Sequence, residues 1–175
     1  MNKYRNNVII YAEDGARKGA TVQLAEAWFA VRKSSIFNRG KVSIKSCNGW
    51  MDARDKAIAN AQLNTSKGTD RCIVILIDFD RADARLQEIK NAIAQAVPDY
   101  ADRFYIVGWS GNIESLKAEA NCAGKGFDRL AEKLVDDYQS GCLGLRDSDA
   151  FRQMRESGEC QRLQKDILPL IESEP

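Results

Sequence analysis

A chain of 175 residues, 44% of them hydrophobic, is long enough to bury a core without disulfide or metal staples, and no linker signal divides it, so one domain over residues 1–175 is expected. Its 26 basic and 25 acidic residues nearly cancel, which excludes a protein-wide field for gathering nucleic acid and leaves local patches. Histidine is absent, which excludes Ser-His-Asp and Cys-His catalysis, His-containing zinc sites and any nuclease that needs a histidine base. Cys47, Cys72, Cys122, Cys142 and Cys160 are odd in number, scattered and free of any C-x-x-C pair, so neither a disulfide framework nor a zinc ribbon is expected, and Cys72 reads as a small apolar strand residue. No apolar stretch approaches the roughly 18 residues of a membrane span, and the polar run Met1-Asn-Lys-Tyr-Arg-Asn-Asn7 is not a secretory leader; a cytoplasmic protein without membrane contact is the expectation.

Taken in order, Asn7-Val-Ile-Ile-Tyr-Ala12 reads as a first apolar strand that runs directly into Glu13-Asp14-Gly15. After Gly19, Leu24, Ala27, Trp28 and Val31 recur at helical spacing and predict a helix to about Ser34. Asn38-Arg39-Gly40 is a turn, and between Lys41 and Cys47 the alternation of Val42 and Ile44 with polar residues predicts a half-exposed outer strand, closed by Asn48-Gly49. An Ala-rich helix follows from about Met51 to Leu63, ended by Ser66-Lys67-Gly68-Thr69. The stretch Cys72-Ile-Val-Ile-Leu-Ile-Asp-Phe-Asp80 is uncharged and β-branched until it stops in two carboxylates, as a strand buried on both faces of a parallel sheet would be. Leu86, Ile89, Ile93 and Val97 mark one face of a third helix that Pro98 stops. Phe104 to Trp109 is a fourth strand, ending in Ser110-Gly111-Asn112 before Ile113-Glu114-Ser115-Leu116. Beyond Gly126 the pattern is helical throughout, first Phe127, Leu130, Ala131, Leu134 and Tyr138, then Phe151 and Met154, then Leu163, Ile167 and Leu170, with a frayed end at Glu172 to Pro175.

This alternation of strands and helices predicts an α/β, Rossmann-like fold: a small doubly wound parallel sheet of about four strands, with helices on both faces. Its core spans about residues 7–109, and a C-terminal helical extension, about residues 110–172, caps the sheet's flank with Leu130, Leu134 and Phe151 buried. Strand side chains alternate, so Asp78 and Asp80 project to one side if strand geometry persists that far. If the first and third strands are neighbours in the sheet, Glu13, Asp78 and Asp80 converge at the carboxyl ends of the strands, where open α/β sheets bind ligands. Like charges that close repel unless a cation offsets them, and Mg²⁺ or Mn²⁺ is the natural partner for carboxylate oxygens; such a site can activate water and stabilise a phosphoryl group. The plain alternative is that Asp78 and Asp80 end a strand and cap the next helix.

An acid ending the first strand with a glycine close behind, and the D-x-D of Asp78-Phe79-Asp80 after the third, resemble the TOPRIM domain of topoisomerases, bacterial primases, small recombination nucleases and OLD-type nucleases of phage defence. The resemblance covers about residues 7–109 and implies that Glu13 acts as general acid/base or metal ligand, and that Asp78 and Asp80 bind Mg²⁺ or Mn²⁺. It departs from the family where Asp14 separates glutamate from glycine and where Arg81-Ala82-Asp83 replaces the small residue usual after the D-x-D. The expected activity is metal-dependent nuclease or related phosphoryl-transfer chemistry on DNA or RNA, alone or with a partner protein, as an effector in phage defence or a mobile element. Two alternatives stand beside it: a receiver-like phosphoacceptor, in which Glu13 and Asp14 hold Mg²⁺, Asp78 takes the phosphoryl group and Ser110 senses it, and a non-enzymatic interaction module with an acidic edge.

Lesser candidates complete the reading. Glu114 is a further metal ligand or simply an acid favourable to its helix dipole. Arg17 and Lys18 are phosphate contacts or solvated surface. Gly15-x-x-x-Gly19 and Gly124-Lys125-Gly126 are not P-loops, and Trp28, Trp50 and Trp109 read as core or core edge.

Overall fold

The computed structural model describes residues 8–13, 19–31, 42–66, 71–80, 82–111, 113–140, 148–167 and 169. Asp14, Gly15, Arg17, Lys18, the Asn38-Arg39-Gly40 turn, Asn112, Cys142 and Leu170 lie outside the described residues. Uninterrupted apolar runs become the inner strands: β1 (Val8–Ala12), β3 (Cys72–Asp78) and β4 (Phe104–Trp109) are buried on both faces apart from the terminal Asp78. The alternating stretch becomes β2 (Val42–Ser46), half-exposed as its pattern predicts. All pairings are parallel and the order is β2-β1-β3-β4. The chain therefore steps outward from β1 to β2 and returns past β1 to β3, which makes the gap between the carboxyl ends of β1 and β3 a topological switch point.

Helix α1 (Ala20–Val31) connects β1 to β2, α2 (Trp50–Ser66) connects β2 to β3, and α3 (Asp83–Ala96) with the 3₁₀ segment Pro98–Arg103 connects β3 to β4. Right-handed crossovers in opposite directions put α1 on one face of the sheet and α2 with α3 on the other, the doubly wound arrangement expected. Helix α2 turns Ala53, Ala57 and Ala61 inward at intervals of one turn and leaves Met51 and Leu63 exposed, so it lies close against β1 and β3 through small side chains.

After β4 come α4 (Ile113–Glu119), α5 (Phe127–Ser140), α6 (Arg152–Glu156) and α7 (Glu159–Arg162), the last running into a π turn at Leu163–Ile167. Among the described residues no further strand occurs. Helix α5 packs Leu130, Ala131 and Leu134 into the core beside α1 and faces Asp128, Arg129 and Lys133 outward. Residues 149–162 cover the outer edge of β4, where Phe151 and Met154 are buried as expected of a cap. Three alternate edge amides of β4 find side-chain or turn acceptors there: Ile106 N–H donates to Glu159 Oε2 at 3.2 Å, Gly108 N–H to Met154 Sδ at 3.2 Å and Ser110 N–H to the Ala150 carbonyl at 2.7 Å. The exposed strand edge that would otherwise template pairing with another chain is thereby closed. Gly108 is required here, since a Cβ would overlap the Ile77 carbonyl oxygen and stand 2.8 Å from the Phe79 ring.

Among the described residues, no helix is long and apolar enough to cross a membrane. Cys47, Cys72, Cys122 and Cys160 are buried and in no disulfide; Trp28, Trp50 and Trp109 are core or core edge, as read from the sequence.

Candidate functional site

Strand β1 ends two residues before β3 does in register, because Ala12 pairs with Leu76 and β3 continues to Asp78. Glu13 bridges the shortfall: its own N–H donates to the Leu76 carbonyl at 3.0 Å, and its Oε2 accepts the Asp78 N–H at 2.7 Å, in place of the carbonyl that a longer β1 would have offered. Glu13 and Asp78 are thus joined at the switch point. Burial raises the Glu13 pKa above its ordinary 4.5, an effect that the Asp78 N–H and the Arg85 charge oppose and the charges of Asp78 and Asp80 reinforce.

The chain leaves the strand at Asp78, so Asp80 does not project beside it as strand alternation would require. Phe79 N–H donates to the Trp109 carbonyl at 2.8 Å, the Phe79 ring is fully buried, and Asp80 turns through a left-handed conformation at φ +48°. Its N–H donates to Asp78 Oδ1 at 2.7 Å, a local bond that short acidic side chains make readily in turns. Such a backbone is uncommon for a residue with a Cβ and gathers at functional sites. The helix-cap alternative fails on geometry: the residue preceding α3 is Ala82, and no side chain caps that end.

Arg85, in the first turn of α3, occupies the space between the aspartates. It donates to the Asp78 carbonyl and, through both terminal nitrogens at 3.2 Å, to Asp80 Oδ2. Its guanidinium stacks over Trp50, 5.3 Å from the ring centroid, and Arg54 takes a similar place at 5.4 Å. Trp50 opens α2 directly after Gly49, whose N–H donates to the Glu13 carbonyl at 2.9 Å, so the start of α2 is tied to the end of β1. Arg85 was not among the sequence-derived candidates, and Trp50 was read there as core or core edge. A signal was present: an arginine in the first turn of a helix opposes the dipole and needs an anion, and the D-x-D immediately precedes it.

Of the expected acids, then, Glu13 and Asp78 meet, Asp80 is held by Arg85, and Glu114 stands apart, its carboxylate exposed and paired with Lys117 at 3.2 Å. As arranged these side chains do not fit a divalent ion: among the described residues no three acidic or cysteine groups gather closely enough to hold one. One buried donor nearby lacks a partner among the described residues, the indole N–H of Trp109, whose residue is the register neighbour of Asp78 and lies on the same face of the sheet. Set against protein-family models, curated proteins and solved structures, the chain matches none.

Proposed function

We propose that this chain is a phosphoryl-transfer enzyme of the nuclease type, acting on DNA or RNA at the carboxyl ends of β1 and β3, and related to the TOPRIM domain. The observation that carries the reading is the 2.7 Å bond from Asp78 N–H to Glu13, which seats two acids together at the sheet's switch point. Glu13 is suited to the role of general acid/base, since burial raises its pKa above the ordinary 4.5, the direction such a role needs. Asp78 fixes the turn that follows through its bond to Asp80 N–H. Arg85 supplies a fixed positive charge of the kind that stabilises charge on a transferring phosphoryl group. Mg²⁺ or Mn²⁺ belongs to this reading as the ion whose requirement the assay reads.

A receiver-like phosphoacceptor is disfavoured by the β4 edge. That family needs a fifth strand bearing a lysine beside β4, and the Ile106, Gly108 and Ser110 amides on that edge are taken by Glu159, Met154 and Ala150. Cleavage of single- and double-stranded DNA and RNA, with Mn²⁺ and with EDTA, is the test. The wild type should cleave at least one of these only with metal, and Asp78→Asn and Glu13→Gln should each lose about 100-fold or more. Equal cleavage by all three proteins, or none by the wild type, overturns the reading; labelling of Asp78 by acetyl phosphate would restore the receiver alternative.

A further inference from the structure

We infer that the hollow between α3 and the cap on β4 is a second binding site, for a small organic monocarboxylate with an apolar body. Its volume of about 210 Å³ lies below the usual range of drug-sized pockets, which limits the occupant to a small molecule. Ile93 of α3, Ala101 of the 3₁₀ segment, and Phe104 and Ile106 of β4 form apolar wall, and Lys90, Glu159 and Arg162 add a charged group. Phe104 opens β4 beside Ile73, so the hollow lies at the amino end of that strand, opposite the end that holds Asp78 and Trp109. Closure of the β4 edge accounts for Glu159, which accepts the Ile106 N–H, and for one cation to balance its charge. The structure supplies two. The Glu159 side chain is 1% exposed, whereas those of Lys90 and Arg162 are 31% and 35% exposed, and both cations meet the same Oε1 at 3.0 Å. The group therefore carries one positive charge more than its carboxylate needs, beside apolar wall. Asp102 also lines the hollow but is exposed to water that screens its charge, and it gives Arg162 its carbonyl at 3.1 Å. Arg162 is further held by the Phe104 carbonyl at 3.0 Å and lies over Tyr105. Lys90 has donors to spare: an ammonium carries three, and among the described residues it makes one ion pair, with Glu159. One carboxylate on Lys90 and a hydrocarbon body against Ile93, Phe104 and Ile106 complete this lining, whereas inorganic phosphate would leave the apolar wall unfilled.

The nuclease reading does not enter this inference and is decided separately, by cleavage. The test here is a titration of the full chain with benzoate, beside its neutral isostere benzamide, followed by the backbone amide signals in NMR. Benzoate should saturate and shift the amides of Lys90, Ala101 and Phe104 while leaving that of Asp78 in place. Benzamide should bind roughly ten-fold more weakly or worse, the scale of one charge-assisted hydrogen bond. Lys90→Gln, which leaves Arg162 to balance Glu159, should weaken benzoate by a similar factor. Ala101→Leu fills the hollow and touches no charge, so it should abolish binding, which mere attraction of an anion to surface cations would not show. If Lys90→Gln does not fold, benzamide and Ala101→Leu still decide the matter. Absence of saturable benzoate binding, equal binding of benzoate and benzamide, shifts centred on Asp78, or wild-type binding by Ala101→Leu would each overturn the inference.

Discussion

Glu13 and Glu159 solve one problem under opposite conditions, and the contrast separates a carboxylate proposed for chemistry from a structural one. Each accepts a strand N–H where a neighbouring strand is missing: Glu13 takes Asp78 N–H beyond the end of β1, and Glu159 takes Ile106 N–H on the outer edge of β4. Glu159 is fully buried, and its Oε1 is fixed by Lys90 and by Arg162, each at 3.0 Å. Arg162 continues the network to the Phe104 carbonyl at 3.0 Å and lies over the Tyr105 ring, 4.8 Å from its centroid. Such a carboxylate has its oxygens taken up by Ile106, Lys90 and Arg162. Glu13 is half-buried, and the nearby Arg85 is bonded to Asp80 and not to it. Burial therefore wins over attraction and the Glu13 pKa rises. A carboxylate whose charge is left partly uncompensated at a ligand-binding edge is a candidate for chemistry; one with two cations in the core is part of the frame.

The largest effect should come from breaking the frame. Glu159→Leu leaves Ile106 N–H without an acceptor and separates Lys90 and Arg162 from their anion. A loss of roughly 3 kcal/mol in urea denaturation is expected, at the low end for a broken buried pair because both cations keep contact with water. A loss below about 1 kcal/mol would put Glu159 in the same class as Glu13 and dissolve the contrast. Glu13→Gln should be far milder, since glutamine keeps an oxygen for Asp78 N–H: at neutral pH, stability should be unchanged or raised by under about 1 kcal/mol. The sign with pH follows from the raised pKa. Folded Glu13 holds its proton more tightly than unfolded, so its favourable contribution is complete below the ordinary 4.5 and is lost as pH rises through the folded value. Wild type minus Glu13→Gln should accordingly fall as pH rises from about 4 to 7. A difference that grows over that range would mean that Arg85 outweighs burial.

The fold was legible wherever hydrophobic pattern and element coincided. Three uniform apolar runs gave β1, β3 and β4, one alternating stretch gave the half-exposed edge β2, and Leu130 and Leu134 marked the inner face of α5. Helix α2 was legible as a helix but not as a face, because its contact with the sheet is made by alanines while Met51 and Leu63 point outward. The 3₁₀ segment Pro98–Arg103 carries no period, and its anchor, Tyr100 hydroxyl to the Arg71 carbonyl at 2.6 Å, joins residues far apart in sequence. At the site, adjacency of Glu13 and Asp78 hung on the first and third strands being neighbours, which the sheet order makes them, whereas the fate of Asp80 depended on where β3 stops. Burial of Phe79 and the reach of Arg85 decide that, and neither is written in a D-x-D. Glu159 left no local mark at all, since Lys90 and Ile106 come to it only through the fold.

The smallest expected effect bears on how far the working edge extends. Glu114 opens α4 just beyond β4, in the place where a further ligand would be drawn from sequence alone, yet its side chain is 66% exposed and meets Lys117. Lys117 is itself 8% exposed, with its ammonium 4.2 Å from the centroid of the Phe127 ring, so the lysine stays anchored without the glutamate. An exposed pair of this kind contributes about 0.5 kcal/mol or less. Glu114→Gln should therefore lower stability within that margin and leave Mn²⁺ affinity and nucleic-acid cleavage at wild-type levels, measured beside Asp78→Asn as the variant that loses both. A fall in Mn²⁺ affinity with Glu114→Gln would carry the site across from β3 to the end of β4, and the working edge could no longer be confined to the gap between β1 and β3.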